Sequence, residues 1–521
     1  MYITPNGSIQ LINNVALTPN YEHTIYFSSG SARDSYFAGK VIATFTGGSY
    51  TRVNKGVVRV PAAADTIYNV TYLRFNNSGF SNRWFYAFVT GIEYVNPETT
   101  QISFAIDVIQ TWFFTDCTLK QCLVEREHTE SDNIGEHILP EPVELGEYIV
   151  GSNTRLNAME NTHLVFICNF DENNWDWYTG GYGFVTDAYN HTRGYWYGLK
   201  YVRFPATVAG FQQASSFIQN AVTNNKYHGI KAMYMAPTDS LYSSTNVTIT
   251  KPSHLANYTP KNNKLLTYPY NMLYITNSQG SSATYKYENF STNNCEFEEI
   301  QTCQINPVTT LTPKMYNGVA VNTDETIYVG GYPQCACNAD AYDIYMANLT
   351  SWQNICKTVL QPITNGLTNF GTGVANLGSI AGSAVSAGAN TWRENMQNMT
   401  NAGYGVLDST LQPPQQAGAI TNPALYLGGF IGFLCCQKSI KKEVAEKIDD
   451  FFTRYGYRIN SLKIPNISAR PSFNYTKTNG CIINGSCPAD DLATLCKIFD
   501  SGVTFWKNGD NIGDYTQNNS V

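Results

Sequence analysis

Cys122 and His128, in Gln121-Cys-Leu-Val-Glu-Arg-Glu-His128, are the residue types of a nucleophile and its base. Their separation along the chain fixes no geometry, and a loop accommodates them equally well. Cys335-Ala-Cys337, with Cys295 and Cys303 upstream, offers soft metal ligands, but the spacing is not that of a zinc site. Cys435-Cys436 reads as a pair of small apolar side chains. Eight carboxylates and a single Arg lie between Glu125 and Glu147. Such a run is either a solvated loop or a ring of charge on an inner channel wall that repels DNA. HExxH, GxSxG, Walker A and a GxGxxG in strand–helix context are all missing. No catalytic residue, cofactor or metal site is therefore expected. Paired carboxylates for glycoside hydrolysis, which come from separate strands, leave no local signature.

The elements that must carry these residues are mostly strands. Lys40–Thr46 and Ser49–Val60 flank Gly47-Gly48, a hairpin signal because glycine accepts positive φ. Ile102, Phe104, Ile106 and Val108 alternate with Ser103, Ala105 and Asp107, predicting a strand with one buried face, and Asn96-Pro97 supplies the turn before it. Residues 150–335 alternate short aromatic strands with Gly/Asn/Thr-rich turns, with one modest helix candidate at Thr207–Val222. Helical spacing appears in Tyr345, Leu349, Trp352, Ile355 and Val359, and again in Ile440, Val444, Ile448, Phe451, Phe452 and Tyr455, closed by Gly456. A last short helix is predicted over Pro488–Ser501, with Asp490 and Asp491 at the positive end of its dipole and Gly502 after it.

Between the two helical patterns lies the most unusual stretch of the chain. Thr358–Gln437 holds only three charges, Arg393, Glu394 and Asp408, and is rich in glycine, alanine and serine. Its apolar residues include Leu367, Phe370, Leu377, Ile380, Val385, Leu425, Leu427, Phe430, Ile431, Phe433 and Leu434. Gly378 and Gly382, Gly428 and Gly432, together with Gly429, give the small-residue spacing that suits close packing in lipid. A resident transmembrane helix needs about 20 predominantly apolar residues. Ala417–Cys436 approaches that length, but Thr421-Asn-Pro423 interrupts it, so a conditionally inserting segment with a bend there is the better expectation. A buried, small-residue loop in an oligomer core is the alternative. Lys438, Lys441 and Lys442 would meet lipid headgroups, or form the solvated face of the helix they begin.

At 521 residues the chain has room for roughly three domains. A net charge of −7 argues against a protein that grips nucleic acid, which needs a basic face, but not against one that lets DNA slide past. The thirteen cysteines follow no secretory signal, so free thiols from a reducing compartment are expected.

Asn82-Arg-Trp-Phe-Tyr-Ala-Phe-Val-Thr90, Phe104-Ala-Ile-Asp-Val-Ile-Gln-Thr-Trp-Phe113 and Arg126-Glu-His128 resemble the tail knob proteins of phi29-like short-tailed bacteriophages. So do Tyr455-Gly-Tyr-Arg-Ile-Asn460, Ile464-Pro-Asn466, Phe473-Asn-Tyr475, Ile498-Phe-Asp-Ser-Gly-Val-Thr-Phe-Trp506 and Asp510-Asn-Ile-Gly-Asp-Tyr515, in the family's order. The Gly/Ala/Ser stretch before Pro413-Pro414 falls where the family carries a long hydrophobic loop. The resemblance implies a mainly β protein with some α, built of β-barrel tube domains and a knob region, assembling into a ring. It implies an N-terminal tube domain over 1–125, a β-rich knob over 126–343, a helix–loop–helix block over 344–455 with its membrane-active loop at about 365–435, and a 456–521 segment completing the tube. It further implies a homo-hexamer at the distal tip of the virion tail, made in the host cytoplasm and joined to a lower collar or connector protein. Its loops would plug the lumen and then penetrate host membrane lipid, while viral double-stranded DNA passes without specific binding. A receptor-binding or cell-wall-degrading tail component is the alternative.

Overall fold

The computed structural model describes residues 7–48, 56–158, 161–168, 184–185, 200–224, 226, 229–240, 242–277, 280–303, 306–318, 326–332, 334–336 and 431–521. The fold is mostly β, divided into two compact units that do not follow chain order. The first collects 1–147, 258–267 and 441–521; the second holds 148–257 and 268–440. The segment predicted as one helix–loop–helix block is therefore split, its last residues from Lys441 onward belonging to the first unit.

The first unit contains a six-stranded antiparallel sheet in the order Val41–Gly48, Gly7–Ile12, Tyr72–Asn77, Phe85–Asn96, Thr99–Ile106, Val57–Val60. The long hairpin at its centre turns at Pro97-Glu98, where the Glu98 amide donates to Asn96 Oδ1 at 2.9 Å. Alternation holds over Ile102–Ala105, with Ile102 and Phe104 buried and Ser103 and Ala105 more exposed, but the strand ends at Ile106 and Asp107, expected on the outer face, is buried. Among the described residues, the strands on either side of Gly47-Gly48 do not pair with each other, and residues 49–55 of the expected hairpin lie outside the described residues. Val41–Gly48 pairs with Gly7–Ile12 and Val57–Val60 with Thr99–Ile106, at opposite edges of the sheet. The turn signal was local, whereas pairing is decided by which apolar faces meet. Leu11, Leu73, Ala87 and Ile102 fill one face; Ile12, Tyr72, Tyr86 and Phe88 pack with Phe37 on the other.

The same unit's five-stranded sheet joins the chain ends. Its order is His23–Ile25, Val503–Trp506, Phe473–Asn479, Cys122–Glu127, Tyr457–Lys463, and its first pair is parallel. The helix Ala489–Ser501 packs here through Leu495, Ile498 and Phe499, with Asp490 and Asp491 in its first turn as predicted. Gly502 closes it at φ +93°, and a Cβ there would lie 2.1 Å from the Tyr475 hydroxyl, so no side chain fits. The second predicted stripe is the helix Lys442–Tyr455. It begins later than the periodicity suggested, because Ile440 is the last residue of a strand.

Among the described residues the second unit carries three sheets that share one large apolar cluster, with a smaller one formed by Val165, Ile167, Tyr201, Tyr234, Ala236 and Cys303. One has the order Phe184–Val185, Lys200–Pro205, His163–Cys168, Ile230–Ala236, Gln334–Ala336, covered by the helix Val208–Thr223 where a helix was expected. Another runs Tyr242–Thr250, Asn294–Thr302, Thr309–Lys314, Ile327–Val329. The third runs Tyr148–Asn157, Gly432–Ile440, Asn271–Thr276, Ser282–Tyr285. Phe166, Phe204, Phe217, Leu273, Phe297, Leu311 and Phe433 belong to a single buried cluster drawn from all three.

Candidate functional site

The uncharged stretch is mounted on the second unit. The last strand before it, Gln334–Ala336, pairs at a sheet edge with Ile230–Ala236; the first after it, Gly432–Ile440, is paired on both sides. Residues 337–430 between them hold six charged side chains, Asp340, Asp343, Lys357, Arg393, Glu394 and Asp408. Of the apolar residues singled out for membrane contact, Leu367, Phe370, Leu377, Ile380, Val385, Leu425, Leu427 and Phe430 lie outside the described residues. Gly378, Gly382, Gly428 and Gly429 and the predicted helix over 345–359 lie outside them too.

Ile431, Gly432, Phe433 and Leu434 are described, Ile431 just before and the other three within the strand Gly432–Ile440. Ile431 and Phe433 are 1% and 0% exposed, and Phe433 pairs with Leu156 across the sheet. Leu434 is held between Arg155 and Thr276. A central strand bonded along both edges, with its alternate side chains in the core, has no face left for lipid. In this arrangement Ile431, Phe433 and Leu434 belong to the second unit's packed sheet region. Cys435 and Cys436 are buried in the same strand, where burial pushes the Cys435 thiol up to about 12; they serve as small apolar residues, as expected. Sequence reasoning passed over Gln437, which pins this strand by donating to the His254 carbonyl at 2.8 Å and to Asn271 Oδ1 at 3.1 Å. Its signal was a polar residue on the inward phase of an apolar strand.

The lysines that follow take ordinary partners. Lys438 lies over the Tyr274 ring, 3.3 Å from its centroid; Lys441 pairs with Glu147 at 2.5 Å and Lys442 with Glu446 at 3.7 Å along the helix.

The acidic run is neither a purely solvated loop nor a row of free charges. Glu127 has no exposed side-chain surface and pairs with Lys463. Glu141, equally enclosed, pairs with Arg126 and accepts from Lys264 at 2.7 Å. Lys264 also donates to the Leu139 carbonyl, and burial draws its pKa down in spite of Glu141. Asp132 accepts from the Tyr457 hydroxyl and from the Asn263 amide. Asp449, on the helix Lys442–Tyr455, accepts from the Tyr258 hydroxyl at 2.7 Å and the Lys261 amide at 2.7 Å. These contacts bind the 258–267 segment into the first unit. Lys264 beside Leu265-Leu266 was the signal: a charge inside an apolar run needs a partner.

The remaining candidates for chemistry resolve into packing. His128 accepts the Tyr475 amide at 2.7 Å on Nδ1 and faces the Thr453 carbonyl at 3.1 Å with Nε2. Burial, reinforced by Arg470, drives its pKa down to about 3, so the ring is neutral. The Cys122 thiol sits against Cys481, not His128. Cys295 and Cys303 are buried, Cys335 lies in the Gln334–Ala336 strand, and Cys337 lies outside the described residues. Among the described residues no group of His, Cys, Asp or Glu is placed to hold a metal, and no helix is long and apolar enough to cross a membrane. The motif containing Phe104–Phe113 is architectural. Asp107 ends its strand and caps the following turn through the amides of Ile109 and Gln110, both at 3.1 Å, while taking the Tyr72 hydroxyl at 2.8 Å. Burial raises this carboxyl to about 6.

Comparison with known proteins matches residues 237–520 to the family described as the C-terminal domain of tail knob protein gp9 of Bacillus phage phi29, and residues 5–117 to the caudoviral major tail protein N-terminus. The chain is 26% identical to tail knob protein gp9 of Bacillus phage B103 and 25% identical to that of Bacillus phage phi29, each over the full length of both chains. The bacteriophage C1 tail knob protein gp12 shares the fold with a TM-score of 0.60 at 13% identity, covering 98% of each chain.

Proposed function

The chain belongs to the family of the phi29 tail knob protein, and from that premise we propose that residues 337–430 are its membrane-active element. The chain is a structural tail knob protein of a phage virion tail. In our reading its copies form a hexameric tube at the distal tip of the tail, joined to a collar or connector protein. The 337–430 segments plug the lumen until infection, then leave it, enter host lipid and line a channel for DNA.

One observation supports this reading: a long segment with only six charges lies between two strands of the second unit, whose described residues share a large buried apolar cluster. In this reading the cluster is the mount and the segment the part that moves. A single copy is too interrupted at Thr421-Asn-Pro423 to span a bilayer firmly, and a closed ring multiplies a weak element. Before release, a ring of such segments shields apolar surface from water. The lumen needs little affinity for DNA, in keeping with the net charge of −7.

Dye release from anionic liposomes tests it, comparing the full chain with a variant in which residues 345–425 are replaced by a short Gly/Ser link. The variant should keep the thermal midpoint of the second unit and lose leakage at least about tenfold. Because that variant can misassemble, Leu427→Asp in the full chain is the second arm and should lower leakage without changing the midpoint. Leakage unchanged in both variants overturns the reading.

A further inference from the structure

All five cysteines of the first unit, Cys117, Cys122, Cys481, Cys487 and Cys496, fall where the strand Cys117–Leu119 meets the strand Ile483–Gly485 and the helix Ala489–Ser501. They form no metal-holding group. Cys117, Cys487 and Cys496 are partly buried, whereas Cys122 and Cys481 are enclosed. Of the three, Cys117 and Cys487 are brought together by the pairing of the two strands. The Cys117 and Cys487 side chains lie against each other. Strand pairing sets this approach: Cys117 lies directly opposite Gly485, and the Ser486 amide, one residue before Cys487, donates to the Asp116 carbonyl at 3.2 Å. Gly485 keeps the space open, since a Cβ on it would lie 2.6 Å from Cys117 Sγ and 2.9 Å from the Asp116 carbonyl oxygen.

We propose that Cys117 and Cys487 are a preorganised dithiol that closes to a disulfide when the protein meets a low-molecular-weight disulfide, covalently tying the N-terminal sheet region to the C-terminal segment. One of the two, as thiolate, attacks one sulfur of the small disulfide and releases a small thiol, leaving a mixed disulfide on that cysteine. The other then loses its proton and attacks the protein sulfur of the mixed disulfide, displacing the second small thiol. One S–S bond forms in the protein and one breaks in the oxidant; two protein thiols are oxidised, and their protons leave on the two released thiols. Burial raises both thiols, Cys117 up to about 12, which keeps the thiolate fraction small and closure slow. A slow latch suits a protein that folds among reducing thiols and then works on a virion, outside them.

The test uses the full chain, purified reduced and incubated with oxidised glutathione, then alkylated and mapped by non-reducing peptide mass spectrometry. The expected product is a peptide pair linked through Cys117 and Cys487, formed at least about tenfold more in the native protein than in urea. Cys487→Ser should abolish that link and Cys481→Ser should leave it intact. The linked protein should lose two hydrogens of mass, resist release of its C-terminal segment by trypsin, and return to the free thiols with dithiothreitol. A dominant Cys122–Cys481 link, equal linkage in urea, or persistent free thiols at Cys117 and Cys487 after prolonged oxidation would each overturn the proposal.

Discussion

In the unit that gathers both chain ends, Glu141 has no exposed side chain and answers two cations, Arg126 and Lys264. In the unit that mounts the long insertion, the enclosed positions are Phe166, Phe297, Leu311 and Phe433. The first unit assembles three separated pieces of chain and uses directional, charged contacts to choose their arrangement; the second is cohesive through apolar area. A buried ion pair adds little net stability over an apolar pair of the same shape, yet breaking one side of it is costly. The first unit should therefore be the more fragile to single charge removal, although the second also holds a half-buried carboxyl, Glu288, whose pKa burial raises.

The largest expected effect is at Glu141. Glu141→Ala leaves Arg126 and Lys264 buried without their carboxylate and should destabilise the first unit by about 3–5 kcal/mol. Peptide-resolved hydrogen exchange against urea should place the loss in 1–147, 258–267 and 441–521, leaving the second unit unchanged. A loss below about 1 kcal/mol would show that the network is ornamental, on the scale of exposed pairs.

Next come two buried groups whose titrations oppose each other. His128 has a folded pKa of about 3, below its ordinary value, so its contribution is present above about 6.5 and is lost as pH falls toward 3. Asp107 has a folded pKa of about 6, above its ordinary value, so its contribution is present below about 4 and is lost as pH rises through 6. Between about pH 4 and 6 the two slopes, each at most about 1.4 kcal/mol per pH unit, largely cancel. Asp107→Asn should unmask the acid loss and steepen it, whereas His128→Gln should make the first unit lose stability as pH rises over that window. Urea midpoints at pH 4, 5, 6 and 7 read both slopes. Identical pH profiles for wild type and both variants would break the contrast between the units.

Much of the fold was legible where a pattern was local. The Ile102/Phe104 alternation, the Asn96-Pro97 turn, the helix at Val208–Thr223 and the capped helix at Ala489–Ser501 all appear as read. Non-local pairing was not legible. Gly47-Gly48 promised a hairpin between strands that occupy opposite sheet edges, and no periodicity reveals that His23–Ile25 lies parallel to Val503–Trp506. The candidate segment stands out in the sequence by composition alone, which sets no boundary between it and the strand that follows. Hydropathy reads Phe433 and Leu427 alike, because an apolar residue in a core strand and one destined for lipid have the same transfer free energy. Glu127 and Glu141 show the same limit for charge, since sequence counts carboxylates but not their partners.

The smallest expected effect is the sharpest on where the packed sheet ends and the segment proposed to move begins. Phe433→Leu keeps an apolar side chain in a strand paired on both sides, so it should cost about 1 kcal/mol, confined to the second unit and equal at pH 5 and pH 7. Phe433 is fully enclosed with Leu273 and Phe297 in one core, so its loss reports packing alone, with no titratable group answering to it. Liposome leakage should be unaffected by this change while Leu427→Asp lowers it. If Phe433→Leu alters leakage as strongly as Leu427→Asp, the Gly432–Ile440 strand leaves its sheet during membrane contact. The core it shares with Phe166 and Leu311 would then be part of the moving element rather than its mount.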